Sequence, residues 1–273
     1  MRSDRLRLLE RAGDLDAVPR ALADAQRHRS EEWPPTPFAL VALTPPDLQP
    51  LARVAASLYP QPLQPAVSPA PPAAQPGRAP LHFDDHPAYT AAYLMAVAAW
   101  ASGAEADVPS LDATWLESLR PSVPHDQNPA KQLALRFFGH IPLLWSEASL
   151  LAHVADDWRL RILRYAESAA LAADGEKMRL AWSMARFPNF WTNALCIAQL
   201  TSIAPGAASQ PDALQIILKR RRFETVEVSA PGDTLAQNAL HLIYLGEVVA
   251  LYLAALYGVD PSDRTPLQLL GID

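Results

Sequence analysis

The chain contains a single cysteine, Cys196, in 273 residues. That excludes an intramolecular disulfide and a cysteine-based zinc site, and it fits a cytoplasmic protein. No Gly-rich phosphate-cradling loop, dinucleotide fingerprint or Gly-x-Ser-x-Gly elbow is present. Nucleotide-loop and serine-hydrolase chemistries therefore have no support in the sequence. The first sixteen residues lack an apolar core segment, so no signal peptide is expected. Excess positive charge is missing too. The net charge is −6, which argues against a general nucleic-acid binder.

Apolar residues make up 50% of the chain, enough to build a sizeable core. The most apolar stretch is residues 240–256, followed by Gly258 as a stop and Pro261. A helix apolar on all sides is either buried or membrane-spanning. Glu247 sits near its middle and His241 near its start. An acidic residue at a bilayer centre costs about 2.5–3.5 kcal/mol, so a buried helix and no membrane partner are expected.

Further elements follow from composition. Residues 3–28 read as helix. Phe38–Leu43 is an apolar run of strand length, and Asp47 caps a helix through Leu58. Residues 60–80 hold eight prolines and read as a loop. Helices are expected over Pro87–Ala101, Pro129–Phe138 and Glu147–Ala173. Strands are expected over Ile141–Trp145, Ala213–Leu218 and Phe223–Val228. Alternating strands and helices imply α/β layers with parallel sheets, arranged as two doubly wound halves near 30–125 and 126–273 behind an N-terminal helical segment, 1–29.

Three polar constellations have both a bland and a functional reading. His82, Asp84, Asp85 and His86 form either a metal site or a polar loop with an Asp cap ahead of Pro87. The second reading is preferred, so no metal is assigned. Lys219, Arg220, Arg221 and Arg222 form a phosphate patch or a solvated connection; the latter is preferred in an acidic chain. Glu147, His153, Asp156 and Asp157 are expected on one helix, with His153 and Asp157 sharing a face. Phe187, Phe190 and Trp191 suit a core or a subunit contact.

The C-terminal half also carries a resemblance. Leu245-Gly246-Glu247, then Leu251-Tyr252-Leu253-Ala254 and Gly258-Val259-Asp260-Pro261, resemble the C-terminal signature of bifunctional phosphoglucose/phosphomannose isomerases. That family carries two sugar-isomerase (SIS) domains in tandem. The resemblance implies a cofactor-free aldose–ketose isomerase acting on glucose 6-phosphate or mannose 6-phosphate, and a homodimer. It also implies a degenerate first SIS domain over 30–125 and a second over 126–273.

Position by position, the family's Arg-Trp pair falls on Asp157-Trp158, and its Gln-x-x-Glu-Asn-Ala-Lys stretch on residues 161–167. The isomerisation base position is then Arg164. The ring-opening histidine falls on Thr192, beside Asn193, and the C-terminal lysine falls on or next to Gly271. The two phosphate loops fall on Thr44-Pro45-Pro46 and on Asp84-Asp85-His86. Prolines remove backbone donors, and carboxylates repel a phosphate dianion.

The expectation is therefore an SIS isomerase-like protein whose catalytic positions are degenerate. It would hold a sugar or sugar-phosphate ligand in a cleft lined by Thr44, Asp84, Asp85, His86, Trp158, Arg164 and Asn193. The alternatives are an active isomerase with relocated acid–base groups (Glu167, His153 or His86) and a non-catalytic dimerising partner.

Overall fold

A computed structural model describes residues 20, 21, 23–25, 48–58, 87–101, 111–184, 189–202 and 213–262. In chain order the elements are α1 (Gln49–Leu58), α2 (Pro87–Ala101), α3 (Ala113–Ser118), α4 (Pro129–Phe137), β1 (Ile141–Ser146), α5 (Ser149–Ala166) and β2 (Leu171–Asp174). There follow α6 (Gly175–Met184), α7 (Asn189–Ala194), β3 (Leu195–Leu200), α8 (Ala213–Arg220), β4 (Glu224–Val228) and α9 (Leu235–Tyr257). The four strands form one parallel sheet in the order β2-β1-β3-β4. It is the one sheet among the described residues. The strand expected at Phe38–Leu43 lies outside them.

The sheet separates two cores. On one face α5 and α9 pack against each other, with α1, α2 and α4 around them. On the other, Trp145, Met178, Trp182, Leu214 and Phe223 close a smaller core beneath α6 and α8. Cys196 is buried in β3, where burial, with Glu224 nearby, pushes its thiol up to about 12. It is a core residue.

The apolar C-terminal stretch is indeed a buried helix. It starts five residues before the expected Leu240, at Leu235, because Thr234 accepts a hydrogen bond from the Gln237 amide and caps it. Gly258 closes it in the left-handed conformation. By length and composition α9 qualifies to cross a membrane, yet 89% of that apolar window is buried inside the protein.

Two sequence expectations are corrected here. Ala213–Leu218 is helix, not strand. Leu214, Ile217 and Leu218 fall on one helical face, Leu214 and Leu218 are buried, and Ile216 points outward. The β-branched pair Ile216–Ile217 suggested a strand, but tertiary packing selects the helical period. The helix expected over Glu147–Ala173 ends at Ala166. Glu167 adopts a left-handed conformation (φ 49°), and the chain then turns into β2, with Leu171 in register with Leu143. Sheet pairing overrides the helical propensity of the Ala-rich segment. Strand β3, buried along its whole length, had no counterpart in the expectations.

Candidate functional site

Between α5 and α9 the packing is unusually close. The indole of Trp158 lies against Gly246, where a Cβ would come within 2.2 Å of Nε1. Nε1–H donates to the Leu242 carbonyl at 2.8 Å. Trp158 is therefore a fully buried core residue, which corrects its assignment to a ligand cleft. Beside it lie four buried ionisable side chains: Asp157, Arg161, Tyr165 and Glu247. Arg161 Nε donates to Asp157 Oδ1 at 3.3 Å. Burial opposes the charge on Arg161, but Asp157, Tyr165 and Glu247 outweigh it and hold its pKa above the ordinary arginine value. Burial, reinforced by Glu247, raises the pKa of Tyr165.

Arg164, Glu167, Thr192 and Asn193 lie at the amino-terminal edge of the sheet, in two pairs. Helix α5 returns from the carboxyl end of β1, so Arg164 in its last turn and Glu167 at its cap reach the edge where β2 begins. Thr192 and Asn193 end α7 immediately before β3. Strand β1 lies between β2 and β3, which separates the two pairs by about two strand spacings, roughly 10 Å. The Arg164 guanidinium sits over the Tyr165 ring, 5.8 Å from its centroid. Arg164 and Thr192 are half-buried at these helix ends, whereas Glu167 and Asn193 are exposed.

His153 does not belong with them. It is eleven residues before Arg164 (164 − 153) on the same helix, about 16 Å away at 1.5 Å per residue. Burial lowers its pKa, nearby Arg53 lowers it further, and Asp156 opposes both. The expected His153–Asp157 pairing is corrected as well. Asp157 turns inward to Arg161, while Asp156 bonds Arg159 Nε at 2.8 Å. Thr44, His82, Asp84, Asp85, His86 and Gly271 lie outside the described residues.

At the carboxyl edge, where open α/β sheets place ligands, the side chains are polar and largely paired. Ser146 Oγ donates to the Leu200 carbonyl at 2.8 Å. Glu147 precedes α5, contrary to its expected place on the helix, and accepts from Arg179 Nε at 3.1 Å. Thr201 Oγ1 donates to Glu227 at 3.1 Å. At the other, amino-terminal edge the basic run Lys219–Arg222 closes α8 ahead of β4, where cations suit the carbonyl end of a helix.

A recess missed in the sequence lies at the end of β4. It measures about 510 Å³ and is lined, among the described residues, by Asp112, Thr114, Trp115, Ser118 and residues 229–231. Behind it His241 Nε2 accepts a hydrogen bond from the Asp112 amide at 2.8 Å, and Nδ1 donates to the Gln237 carbonyl at 2.9 Å.

Residues 126–270 match the family described as "Bacterial phospho-glucose isomerase C-terminal SIS domain". Two similar curated proteins are bifunctional phosphoglucose/phosphomannose isomerases. The one from Aquifex aeolicus is 25% identical over 53% of this chain and 46% of its own length. The one from Caldicellulosiruptor bescii is 26% identical over 56% of this chain and 46% of its own length. This chain therefore matches about half the length of each. A solved structure, a glucose-6-phosphate isomerase like protein from Thermus thermophilus, is similar with a TM-score of 0.54 and 25% identity, covering 71% of this chain and 66% of that one. With more than half of its length matched, the chain belongs to the bacterial phosphoglucose isomerase C-terminal SIS-domain family.

Proposed function

We propose that this protein is a catalytically silent SIS isomerase relative that binds a sugar or sugar phosphate without converting it. One feature supports the reading: the resemblance puts the family's base at Arg164, which is half-buried over the Tyr165 ring. Aldose–ketose isomerisation moves a proton between C1 and C2 and needs a group that is unprotonated at neutral pH. An arginine stays protonated and cannot accept that proton. Glu167, three residues on, is exposed to water at the left-handed helix cap.

The reading includes a first SIS unit over 30–125, a cytoplasmic location, no cofactor and a homodimer. An exposed apolar group supports association. Phe138 (43% exposed) and Tyr257 (37%) touch with ring centroids 4.9 Å apart at the amino-terminal edge. Trp191, expected in a core or at a subunit contact, packs partly buried against the smaller core.

The test is a coupled assay on purified protein with glucose 6-phosphate and mannose 6-phosphate, with Arg164→Glu alongside. No turnover by the wild type is expected. Robust turnover that is abolished by Glu167→Gln or His86→Ala would replace this reading with that of an active enzyme whose acid–base groups have moved.

A further inference from the structure

We infer that the recess between α3 and the end of β4 is a binding site for an uncharged, hydroxyl-rich ring of monosaccharide size. The inference is independent of the silent-isomerase reading, since none of its residues belongs to the family's catalytic positions. The argument rests on shape, lining chemistry and mounting.

The recess, about 510 Å³, is open to solvent, with Asp112, Thr114 and Ser229 exposed at its rim, so it offers one face to a ring and leaves the other in water. Its lining pairs a half-buried aromatic, Trp115, with a carboxylate, Asp112, and the hydroxyls of Thr114, Ser118 and Ser229. An indole offers an apolar face to ring C–H groups while keeping a polar edge. Carboxylate and hydroxyl oxygens accept hydrogen bonds from sugar hydroxyls, and the Thr and Ser hydroxyls can donate as well. Ser118 already donates to the Trp115 carbonyl at 2.6 Å, so towards the recess it presents acceptor lone pairs. Asp112 spends Oδ1 on the Thr114 and Trp115 amides, at 2.8 and 3.2 Å.

Charge sets the ligand class. Asp112 is the one ionisable group among the described lining residues. A phosphate dianion placed beside it would be repelled, whereas a neutral polyol would not.

The walls are anchored to α9. Helix α3 is pinned to α9 at both ends: at its start by the Asp112 amide on His241 Nε2, and at its end by Tyr252, whose hydroxyl donates to the Leu119 carbonyl at 2.8 Å. The opposite wall is held by Asn238 Nδ2, which donates to the Ala230 carbonyl at 2.6 Å. A site whose walls are fixed beforehand loses little ordering entropy on binding.

The experiment titrates the full chain with methyl α-glucoside and methyl α-mannoside as neutral probes and glucose 6-phosphate as the charged one. Calorimetry and the Trp115 indole N–H resonance are the readouts. Expected are saturable binding of a neutral probe in the millimolar range, ordinary for so small a ligand, and a shift of the Trp115 signal. Asp112→Asn keeps the helix cap, and Thr114→Val touches only the recess. Each should weaken the neutral probe about tenfold, as expected for losing a hydrogen bond to a charged or well-placed group, with unchanged melting temperature. Absence of saturable binding by both neutral probes overturns the inference, as does binding that both variants leave untouched. Glucose 6-phosphate that shifts the Trp115 signal more strongly than its neutral parent overturns the charge argument. Glucose 6-phosphate turnover, by contrast, bears on the silent-isomerase reading alone.

Discussion

Gly246 and Trp158 occupy space that cannot be shared with even one more methyl group. A Cβ on Gly246 would lie 2.2 Å from Nε1 and 2.3 Å from Cδ1 of the indole. The indole is itself fixed by its bond to the Leu242 carbonyl, so it cannot swing aside without leaving a buried donor unpaired. Gly246→Ala is expected to lower stability by about 3 kcal/mol, the upper end for overpacking. Gly139→Ala is the control: nothing lies near its Cβ, and only its φ of 77° opposes the change. That cost should be about 1 kcal/mol. Urea unfolding of both variants checks the ranking, and equal stabilities would mean that the two helices are free to separate.

The Asp157–Arg161 pair is fully inside the protein, and removing Asp157 takes the largest favourable counter-charge from a buried cation, with Tyr165 and Glu247 still beside it. Asp157→Ala should cost about 3–5 kcal/mol. The family resemblance places an arginine at position 157 and a glutamine at position 161, which defines a natural swap to test. The double variant Asp157→Arg, Arg161→Gln keeps one buried cation near Glu247. It is expected to be more stable than either single variant. Additive losses in the double-mutant cycle would show that the two positions are not coupled.

His241 makes stability depend on pH. Burial lowers its pKa below the ordinary 6.5, against smaller raising effects from the Gln237 carbonyl and Asp112. The folded protein therefore holds a neutral imidazole, whose Nε2 must stay bare to accept from the Asp112 amide. In the unfolded chain the ring takes a proton near pH 6.5, so the unfolded state binds more protons as pH falls below that value. Stability is complete above about pH 6.5 and declines as pH drops towards the folded pKa. His153, lowered by burial and then by Arg53, acts in the same direction. Melting temperature should fall from pH 7.5 to pH 5, and His241→Gln should flatten part of that slope. A slope unchanged in His241→Gln would assign it to other groups.

Two helices end on left-handed residues that are not glycine: Glu167 at φ 49° and Arg222 at φ 62°. After α8 the Arg222 amide donates to the Lys219 carbonyl at 3.0 Å and the Phe223 amide to the Leu218 carbonyl at 3.1 Å, the paired pattern that usually carries glycine. Glu167→Gly and Arg222→Gly should each raise stability by about 0.5–1 kcal/mol, the left-handed penalty less the added freedom of the unfolded chain. Thermal melts decide this, and a loss in either variant would mean that the side chain makes a contact worth more than its strain.

Legibility in the sequence followed the range of the interactions concerned. Helix α9, β1, β4 and the helix over Pro129–Phe137 were readable because apolarity, caps and stops lie within a few residues of one another. Strand β3 and the true identity of α8 were not. Their form is decided by neighbours far along the chain, such as Ile197 paired with both Leu143 and Thr225. Around the candidate site, the helical placement of Arg164 was legible from the pattern of its segment. The inward turn of Asp157 and the burial of Trp158 were not, because which side of α5 faces α9 depends on the glycine at 246.

The covering of α9 fixes an order of events during synthesis. It is the last of the described helices to leave the ribosome, yet α2, α4 and α5 all close against it. Until residues 235–257 emerge, those helices hold out apolar faces with nothing to meet, and the empty slot opposite Trp158 has no Gly246 to fill it. Translation of this chain therefore passes through a long interval in which most of its larger core is assembled on one side only, and protection of that half-core falls to whatever holds the nascent chain.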